Sequence, residues 1–377
     1  REQALRFTES TGIKVNWEGV PFDKLHDKMF TSFASGDSPW DVVHVRDDWV
    51  QEFGSRGFLM PLDEFITPDV KALFPENAWK NLSYGGHIYG VPRYFWLWQF
   101  YYNNSILADA GFSSPPTTWQ EVAQIAESVT KDLDGDGNID QWGYCEPWGE
   151  NFASYPFLIH LRAAGGELFD NSGNPTVNSE AAVRALSWMV DMAKTNNYCT
   201  SAFELMTTGA LAELFLQGHV GMMPCTPQVF GMARDPSKSK ISPDQVGASL
   251  MPGDIVKSGT FAETGGLGIP ANSKKAMEAW KYIMFVTSFE EQKRMAMEVG
   301  NIPALVEAQK DPEVKAKQPN FEFIGEQMQF PFGTIAHPRA QEINGVISRY
   351  VIRALHGDMS PREALDQAQK ELELIVK

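Results

Sequence analysis

The chain has few cysteines, and their arrangement predicts neither a disulfide scaffold nor a metal site. Cys145, Cys199 and Cys225 are the three cysteines among 377 residues. Their spacing fits no metal-ligand pattern, and at most one pair could form a disulfide, which would leave an odd thiol. We therefore expect all three to be small, buried hydrophobic side chains.

Long apolar runs and positive charge are also scarce. A membrane helix needs roughly 18 uninterrupted apolar residues, and the densest stretch, residues 94–108, is interrupted by Gln99, Asn103, Asn104 and Ser105. Lys and Arg number 32 against 48 Asp and Glu, which gives a net charge of −16. Because nucleic acids are bound through a basic face, this balance argues against nucleic acid as a partner.

Short motifs of common enzymes are missing from the sequence. It has no nucleophile elbow, no phosphate-binding glycine loop before a helix, no His-x-x-x-His pair and no Cys–His pair of specific spacing. The seven histidines are scattered. The 48 acidic residues allow many carboxylate pairs, so a glycosidase that uses two carboxylates stays open as an alternative.

What the chain does contain is an alternation of short strands and helices, which predicts an α/β fold. Residues 13–17 and 41–45 predict strands, and Phe22–Phe33 predicts a helix between them, so together they predict a parallel crossover unit. The length of the chain predicts about two domains. Further helices are predicted from Thr118 and over 181–193, 274–288 and 289–299.

Three helix starts carry a capping-box pattern, in which a hydroxyl residue is followed three positions later by Glu. The pairs are Thr118 with Glu121, Ser288 with Glu291, and Ser360 with Glu363, the last with Pro361 in the first helical position. The first residue is Arg1, and residues 1–10 have the pattern of a helix interior. We therefore expect a preceding segment to be missing, as after removal of an export signal.

The most informative segment is an aromatic run that we predict to be one strand, from Tyr94 to Tyr102. Its alternate residues are all aromatic and would share one face of that strand. The run Phe100–Asp109, FYYNNSILAD, then leads into residues 111–119, GFSSPPTTW. This order resembles the first hinge strand of the family 1 extracellular solute-binding proteins of ABC importers, the group that includes maltose-binding protein.

Other segments resemble the same family in the same order. They are residues 11–15 (TGIKV), 33–37 (FASGD) with 41–43, 59–63 (LMPLD), 218–223 (GHVGMM), 269–273 (IPANS) and 357–365 (GDMSPREAL). Family members begin with a strand and a turn that precede the first residue here. We expect those residues to have been omitted.

The resemblance implies a type II periplasmic-binding-protein fold, with two α/β lobes that each contain a mixed sheet flanked by helices and are joined by hinge crossings. We place the N-terminal lobe at residues 1–106 and 264–312, and the C-terminal lobe at 107–263 and 313–377. The implied function is capture of a sugar, an oligosaccharide, a sugar derivative or a polyol by closure of a cleft between the lobes. A monomer in the periplasm, or anchored by lipid outside the cell, would deliver the ligand to a membrane permease. The alternatives are the glycosidase and a sensor or adhesion module without a permease.

The resemblance also implies ligand contacts, since sugars need aromatic plates for their faces and planar polar groups for their hydroxyls. One of three loop aromatics, Trp148, Phe152 or Tyr155, is expected to stack on the ligand. Thr226 and Gln228 stand where relatives have Gly-Pro-Trp, so the stacking there is in doubt. Core packing is the alternative for the aromatic strand, and a solvated loop carboxylate is the alternative for Asp48, which follows the strand predicted at residues 41–45. The candidates are Asp48, Tyr94, Trp96, Trp148, Phe152, Tyr155, Thr226, Gln228, Phe230, Gly265, Gly266, Arg339 and Asn344.

An acidic loop resembles the calcium loop of EF-hands. Its candidate ligands are Asp132, Asp134, Asp136, Asn138 and Asp140. Gly143 stands where the bidentate glutamate of that loop belongs, and Glu146 is the nearest carboxylate that could replace it. A structural Ca²⁺ is one hypothesis, and a surface turn built from good turn formers is the other.

Overall fold

The computed structural model describes residues 2–36, 38–149, 152–195, 198–200 and 206–377. The helices are α1 Glu2–Thr11, α2 Phe22–Ala34, α3 Asp47–Ser55, α4 Pro68–Ala72, α5 Glu76–Asn81, α6 Asn104–Asp109, α7 Trp119–Val129, α8 Ser154–Ala163, α9 Glu180–Val190, α10 Thr208–Leu216, α11 Val229–Ala233, α12 Ala276–Val286, α13 Phe289–Val299, α14 Val306–Lys310, α15 Pro312–Lys317, α16 Ile324–Gln327, α17 Ala340–His356 and α18 Pro361–Ile375. The strands are β1 Val43–Arg46, β2 Ser83–Tyr84, β3 His87–Ile88, β4 Val91–Leu97, β5 Gln99–Asn103, β6 Trp142–Tyr144, β7 Val220–Cys225, β8 Val246–Ser249, β9 Thr260–Gly268, β10 Ile302–Pro303 and β11 Pro331–Gly333.

The chain divides into two compact units, each assembled from three segments. Unit 1 comprises Arg1–Trp96, Glu263–Lys317 and Thr334–Ala340, and unit 2 comprises Leu97–Ala262, Gln318–Gly333 and Gln341–Lys377. Residues 313–317 and 334–340, which we placed in the C-terminal lobe, fall in unit 1. Residues 97–106 fall in unit 2 and not in the N-terminal lobe where we placed them. The reason is pairing, because β5 forms its ladders with β7 and β8.

Unit 1 is built on a sheet with the strand order β1-β9-β4-β10. Strand β1 is antiparallel to β9, with Arg46 opposite Gly265, and β10 is antiparallel to β4. Helices α2 and α3 cover one side, where Met29, Trp49 and Phe53 pack in one cluster with side chains of β1. This packing fixes the direction in which β1 runs into α3.

Residues 13–17 do not form the predicted strand, so the predicted crossover unit is absent from unit 1. The exposure pattern of a strand is there, since Ile13 and Val15 are partly buried and Lys14 and Asn16 are exposed. No neighbouring strand among the described residues pairs with them. A strand is stabilised by its cross-strand neighbours, so alternation without a partner leaves this segment irregular. The helix predicted over Phe22–Phe33 is confirmed as α2.

Unit 2 contains a sheet with the strand order β6-β7-β5-β8. Strands β6 and β7 are parallel, whereas β5 is antiparallel to β7 and to β8. Helices α7 and α10 pack against β6 and β7, and α9 packs between α8 and α18. The mixed sheet flanked by helices is the arrangement expected for one lobe.

The aromatic run is two strands, not the single strand predicted. Strand β4 ends at Leu97 and β5 begins at Gln99, and the two belong to different sheets. Tyr94 and Trp96 consequently lie on a strand of unit 1, whereas Phe100 and Tyr102 lie on a strand of unit 2. The alternation of aromatic residues continues across Trp98, so no boundary between the two strands is visible in the sequence.

Two of the three predicted capping boxes form, at Thr118 and at Ser360. The third does not, because Glu291 is engaged elsewhere: Arg6 donates to both of its carboxylate oxygens, at 2.7 and 2.6 Å. The three cysteines are buried, as predicted. Among the described residues, no helix combines the length and the apolar character needed to cross a membrane.

Candidate ligand-binding site

A buried group of charged side chains lies at the carboxyl end of β1 in unit 1. This acid–arginine cluster consists of Arg46, Asp47, Asp48 and Glu263, none more than 6% exposed. Arg46 Nε donates to Asp48 Oδ1 at 3.1 Å, and Arg46 Nη2 lies 2.9 Å from Glu263 Oε2. One guanidinium therefore holds two carboxylates from separate parts of the chain.

The local sequence places the two aspartates at a helix start. Asp47 and Asp48 form the first turn of α3, where partial positive charge at the helix N-terminus favours carboxylates. Asp48 Oδ1 accepts a hydrogen bond from the backbone N–H of Trp49 at 3.1 Å. Asp47 Oδ2 accepts one from the backbone N–H of Thr264, also at 3.1 Å. The second contact ties the start of α3 to β9.

Burial makes this cluster prone to protonation. Burial raises the pKa of Glu263 to about 7. The positive charge of Arg46 acts in the opposite direction, and the negative charge of Asp48 adds to the rise. Burial also raises the pKa of Asp47 well above its usual range, helped by the charges of Asp48 and Glu263. The cluster contains three carboxyl groups and one guanidinium, so uptake of a proton relieves repulsion between buried negative charges.

Aromatic rings surround the cluster. The Arg46 guanidinium lies 5.4 Å from the ring centre of Phe22 and 5.5 Å from that of Trp49, within cation–π distance. Tyr94 stacks on His44 with ring centres 5.8 Å apart, and its hydroxyl lies 3.3 Å from His44 Nε2. Burial and the charges of Arg93 and Arg46 lower the pKa of His44 to about 3, so this ring is neutral.

Two of the predicted contacts of unit 1 lie side by side, and two others face protein atoms. Trp96 is partly buried, and its ring centre is 5.7 Å from that of Tyr94. A Cβ added at Gly265 would come within 2.4 Å of the Tyr94 ring, and one at Gly266 within 2.7 Å of the Val91 carbonyl oxygen. The absence of a Cβ at each of the paired glycines thus admits a neighbouring side chain or backbone group, and their role in ligand binding stays a prediction.

In unit 2, two of the three predicted loop aromatics join a cluster of rings. Tyr155 lies 4.6 Å from Phe261, 6.1 Å from Trp98 and 6.1 Å from Phe152, measured between ring centres. Tyr155 and Phe152 are both partly buried. The third loop aromatic, Trp148, is fully buried and its indole N–H donates to Glu146 at 2.6 Å. Of the three loop aromatics, Phe152 and Tyr155 are therefore the two that keep exposed surface.

A chain of amide and hydroxyl groups lies beside β5 in the same unit. Gln99 Nε2 donates to the Asn320 carbonyl oxygen, and Asn320 Nδ2 donates to Gln99 Oε1, each at 2.7 Å. The Tyr101 hydroxyl donates to Gln99 Oε1 at 3.1 Å, and the Tyr101 ring packs on Phe230. Asn320 Oδ1 is buried and has no hydrogen-bond partner in the structure.

The remaining predicted contacts are dispersed. Thr226 is buried at the end of β7, and Gln228 is partly buried at the start of α11. Arg339 is an exposed residue of unit 1. Asn344 belongs to α17 in unit 2, and its Oδ1 atom is buried without a hydrogen-bond partner. The binding role of every candidate stays a prediction.

The acidic loop brings three carboxylates together at the surface. Single oxygen atoms of Asp132, Asp134 and Asp136 lie within 4.8 Å of one another, and all three residues are exposed. Backbone N–H groups already donate to both oxygens of Asp132, which lowers its pKa. Asp140 Oδ2 accepts from the backbone of Leu133, and Asn138 bonds Asp136. These bonds describe a well-formed turn, and Ca²⁺ binding stays a prediction.

Glu146 does not complete that loop. It is fully buried in unit 2, where it accepts hydrogen bonds from the Tyr144 hydroxyl and the Trp148 indole and lies 2.5 Å from His160 Nε2. Glu146 is close to the acidic loop in sequence, but β6 lies between them and carries the chain from the surface into the core.

Sequence reasoning singled out Asp48 but passed over three of its partners. Arg46 and Asp47 directly precede Asp48 in the sequence, and Glu263 lies two residues before Gly265, but none of the three was a candidate. A signal was present for Glu263, since an acidic residue directly before Thr-Gly-Gly in an apolar strand is unusual in a core. The buried amide Asn320 carried no such signal.

The family model of bacterial extracellular solute-binding proteins matches residues 2–322, and the chain belongs to this family. The family provides substrate-binding components of ABC transporters, not enzymes. A Sinorhizobium fredii protein named "Probable amino-acid ABC transporter periplasmic-binding protein" is 24% identical over 98% of this chain and 84% of its own length.

Two further relatives carry the names of sugars. The maltotriose-binding protein of Pyrococcus abyssi is 26% identical over 80% of this chain and 62% of its own length. The maltose-bound structure of T. maritima MalE3 matches with a TM-score of 0.90 and 25% identity, covering 99% of this chain and 95% of that one. The predicted α/β fold of the two-lobe, maltose-binding-protein type is thereby confirmed.

Proposed function

We propose that this chain captures a neutral, polyhydroxylated ligand, namely a sugar, an oligosaccharide or a polyol, and delivers it to the permease of an ABC importer. The observation that carries the choice of ligand is the acid–arginine cluster with its surrounding rings. Carboxylates of Asp48 and Glu263 accept hydrogen bonds from hydroxyl groups, and the guanidinium of Arg46 donates in a fixed planar fork. Trp96, which is partly buried and lies beside Tyr94, offers its ring to the C–H side of a sugar.

The proposed mechanism is closure on the ligand. A ligand that contacts both units binds the closed state more tightly than the open state. It stabilises the closed state by the difference between these two binding free energies. Unit 2 would contribute the partly buried rings of Phe152 and Tyr155. The permease would recognise the closed form. We place the protein outside the cytoplasm, in the periplasm or anchored by lipid, and we expect it to act as a monomer that leaves its ligand chemically unchanged.

An amino acid is the second candidate ligand, and a specific observation favours it. The cluster combines three carboxyl groups with one guanidinium, so an ammonium group would relieve its repulsion as a proton does. The name of the Sinorhizobium relative points to the same class of ligand. The aromatic faces beside the cluster favour the sugar.

The deciding experiment is a thermal-shift screen followed by calorimetry on the hits. The panel holds maltose, maltotriose, monosaccharides, polyols, sugar phosphates and amino acids, and each hit is recovered and analysed for chemical change. A ligand that binds only the folded protein raises the melting temperature. We expect a neutral sugar or polyol to be recovered intact. A converted compound would establish the glycosidase instead, and a response to amino acids alone would establish the second candidate.

A further inference from the structure

Two of the three cysteines are brought next to each other by backbone pairing in unit 2. The backbone N–H of Tyr144, at the end of β6, donates to the carbonyl oxygen of Tyr198 at 3.2 Å. Cys145 and Cys199 each follow one of these paired residues. Because the residue before each cysteine takes part in this bond, the two cysteines occupy neighbouring positions, as a disulfide requires, since it spans roughly 4.4–6.8 Å between Cα atoms.

The two thiols share one buried site. Both residues are 0% exposed, and the Cys145 thiol lies close enough to contribute to a raised pKa of the Cys199 thiol. Cys225 lies apart, since its sulfur is 3.5 Å from the Thr208 carbonyl oxygen and 3.9 Å from the Thr226 hydroxyl. The fold therefore selects one pair from the three pairs that the sequence allows.

A metal site does not explain this pair. The nearest carboxylate, Glu146, is engaged by the Tyr144 hydroxyl, the Trp148 indole and His160. A structural zinc site takes four such ligands in a tetrahedron. Two neighbouring buried thiols, with the adjacent carboxylate committed to other partners, are suited to joining each other.

Burial determines when the pair can react. Removal from water raises the pKa of the Cys199 thiol well above its usual range, and the neighbouring Cys145 raises it further. Only a thiolate attacks a disulfide, so the closed core is nearly inert. Oxidation therefore takes place while the chain folds or while this part of unit 2 opens.

We propose that Cys145 and Cys199 form an intramolecular disulfide, with Cys225 remaining a free thiol. The oxidant is a disulfide compound of the compartment, for which glutathione disulfide serves as the probe. One cysteine thiolate attacks it and releases one glutathione thiolate, leaving a mixed disulfide. The second cysteine thiolate attacks that bond and releases the other. Two protons and two electrons thus leave the cysteines, and one glutathione disulfide becomes two glutathiones. Supply of such an oxidant in the cell depends on the proposed location outside the cytoplasm, whereas the pairing itself does not.

The test is to refold the reduced, unfolded chain with glutathione disulfide and then block free thiols with iodoacetamide under denaturing conditions. Non-reducing proteolysis and mass spectrometry identify the linked peptides. We expect a Cys145–Cys199 link, a mass 2 Da below the fully reduced chain before blocking, and a single alkylated residue, Cys225. Three alkylated cysteines, or a link that includes Cys225, would overturn the proposal.

Variants separate the disulfide from general stability. Cys225→Ser should keep the link, whereas Cys145→Ser with Cys199→Ser should abolish it and leave one thiol. Dithiothreitol should lower the melting temperature of the wild-type protein by about 5 °C or more, because the link closes a long loop, and should leave the double variant unchanged. An equal response from both proteins would count against the link. Ligand binding, measured by calorimetry in parallel, reports on the proposed function independently.

Discussion

The two units each bury a carboxylate cluster, and the clusters differ in how their charge is satisfied. In unit 2, Glu146 receives hydrogen bonds from Tyr144 and Trp148 and pairs with His160, so several donors serve one carboxylate. In unit 1, one arginine serves two carboxylates and Asp47 adds a third carboxyl group. The unit 2 cluster is rich in donors, and the unit 1 cluster is rich in acceptors.

This difference separates a structural cluster from a candidate binding site. A buried carboxylate with enough donors fixes the packing around it. A buried cluster with more acceptors than donors can still bind hydroxyl or ammonium groups. Without such a group, repulsion between its carboxylates favours their protonated forms. The acid–arginine cluster also lies at the carboxyl end of a strand, at the start of a helix. We therefore expect changes in unit 1 to affect both binding and pH dependence, and changes around Glu146 to affect stability alone.

The largest effect is expected from Arg46→Ala, which leaves Asp48 and Glu263 buried without their shared guanidinium. The free energy of unfolding at pH 8 should fall by about 4 kcal/mol, the usual cost of breaking a buried ion pair. Urea denaturation followed by tryptophan fluorescence measures it. Arg349→Ala is the matched control, because Arg349 is half exposed and pairs with Glu371 at the surface, where such pairs contribute less than about 1 kcal/mol. Equal losses in the two variants would contradict the assignment.

The next effect is a dependence of stability on pH. The pKa of Glu263 is about 7 in the folded protein against 4.5 ordinarily, so between these values only the folded state holds the proton. Stability should therefore fall as pH rises from about 4.5 to about 7, by about 3 kcal/mol. Asp47, whose pKa is also raised, adds in the same direction.

The Glu263→Gln variant provides the control for this pH effect. Urea titrations at pH 5, 6, 7 and 8 should show a much flatter profile than that of the wild-type protein. Identical profiles would place the titrating group elsewhere. Because Glu263 belongs to the proposed binding site, the affinity for ligand should fall in the same variant.

A smaller effect on stability is expected in unit 2 from Glu146→Gln. The amide oxygen of the variant can accept hydrogen bonds from some of the donors, but its NH₂ group faces the other donors. The free energy of unfolding should therefore fall by about 2 kcal/mol. Ligand affinity, measured by calorimetry on the folded variant, should stay within twofold of the wild-type value. A loss of affinity comparable with that of the Glu263 variant would erase the contrast between the two clusters.

Trp96→Ala tests the aromatic side of the proposed site. Removing this partly buried ring should weaken ligand binding more than tenfold, about 1.4 kcal/mol, while the far-ultraviolet circular dichroism stays unchanged. Trp17→Ala is the control, because Trp17 is 57% exposed and lies in the irregular segment before α2. Unchanged affinity in the Trp96 variant would assign that ring to packing.

The smallest effect concerns the acidic loop of unit 2. If the loop holds Ca²⁺, adding Ca²⁺ at a few times its dissociation constant should raise the melting temperature by roughly 2–4 °C. EDTA should reverse the rise. The double variant Asp134→Asn, Asp136→Asn should lose the response. Equal melting temperatures in Ca²⁺ and in EDTA would leave the loop a surface turn, held by the backbone bonds to Asp132 and Asp140.

Local patterns were read correctly wherever the deciding interactions are local. Helix α2 and the capping boxes at Thr118 and Ser360 involve residues within one or two turns, so the sequence specifies them. The errors share a cause of the opposite kind. Residues 13–17 have no pairing strand in the part of the chain that the structure describes, and Glu291 is taken from its capping box by Arg6, which is distant in sequence. Both outcomes depend on a remote partner.

The candidate site divides in the same way. Asp48 was a candidate because an acid that follows a predicted strand is a local signal. The sequence by itself therefore determined the α/β class and the family, and it placed one candidate ligand contact, Asp48, after the strand predicted at residues 41–45. Tertiary structure alone decided that Glu263 shares Arg46 with Asp48, that Cys199 and Cys145 are neighbours, and that the aromatic run is divided between two sheets. The physical reason is that composition and periodicity act over a few residues, whereas burial, ion pairing and strand partnership are settled between segments that only the folded chain brings together.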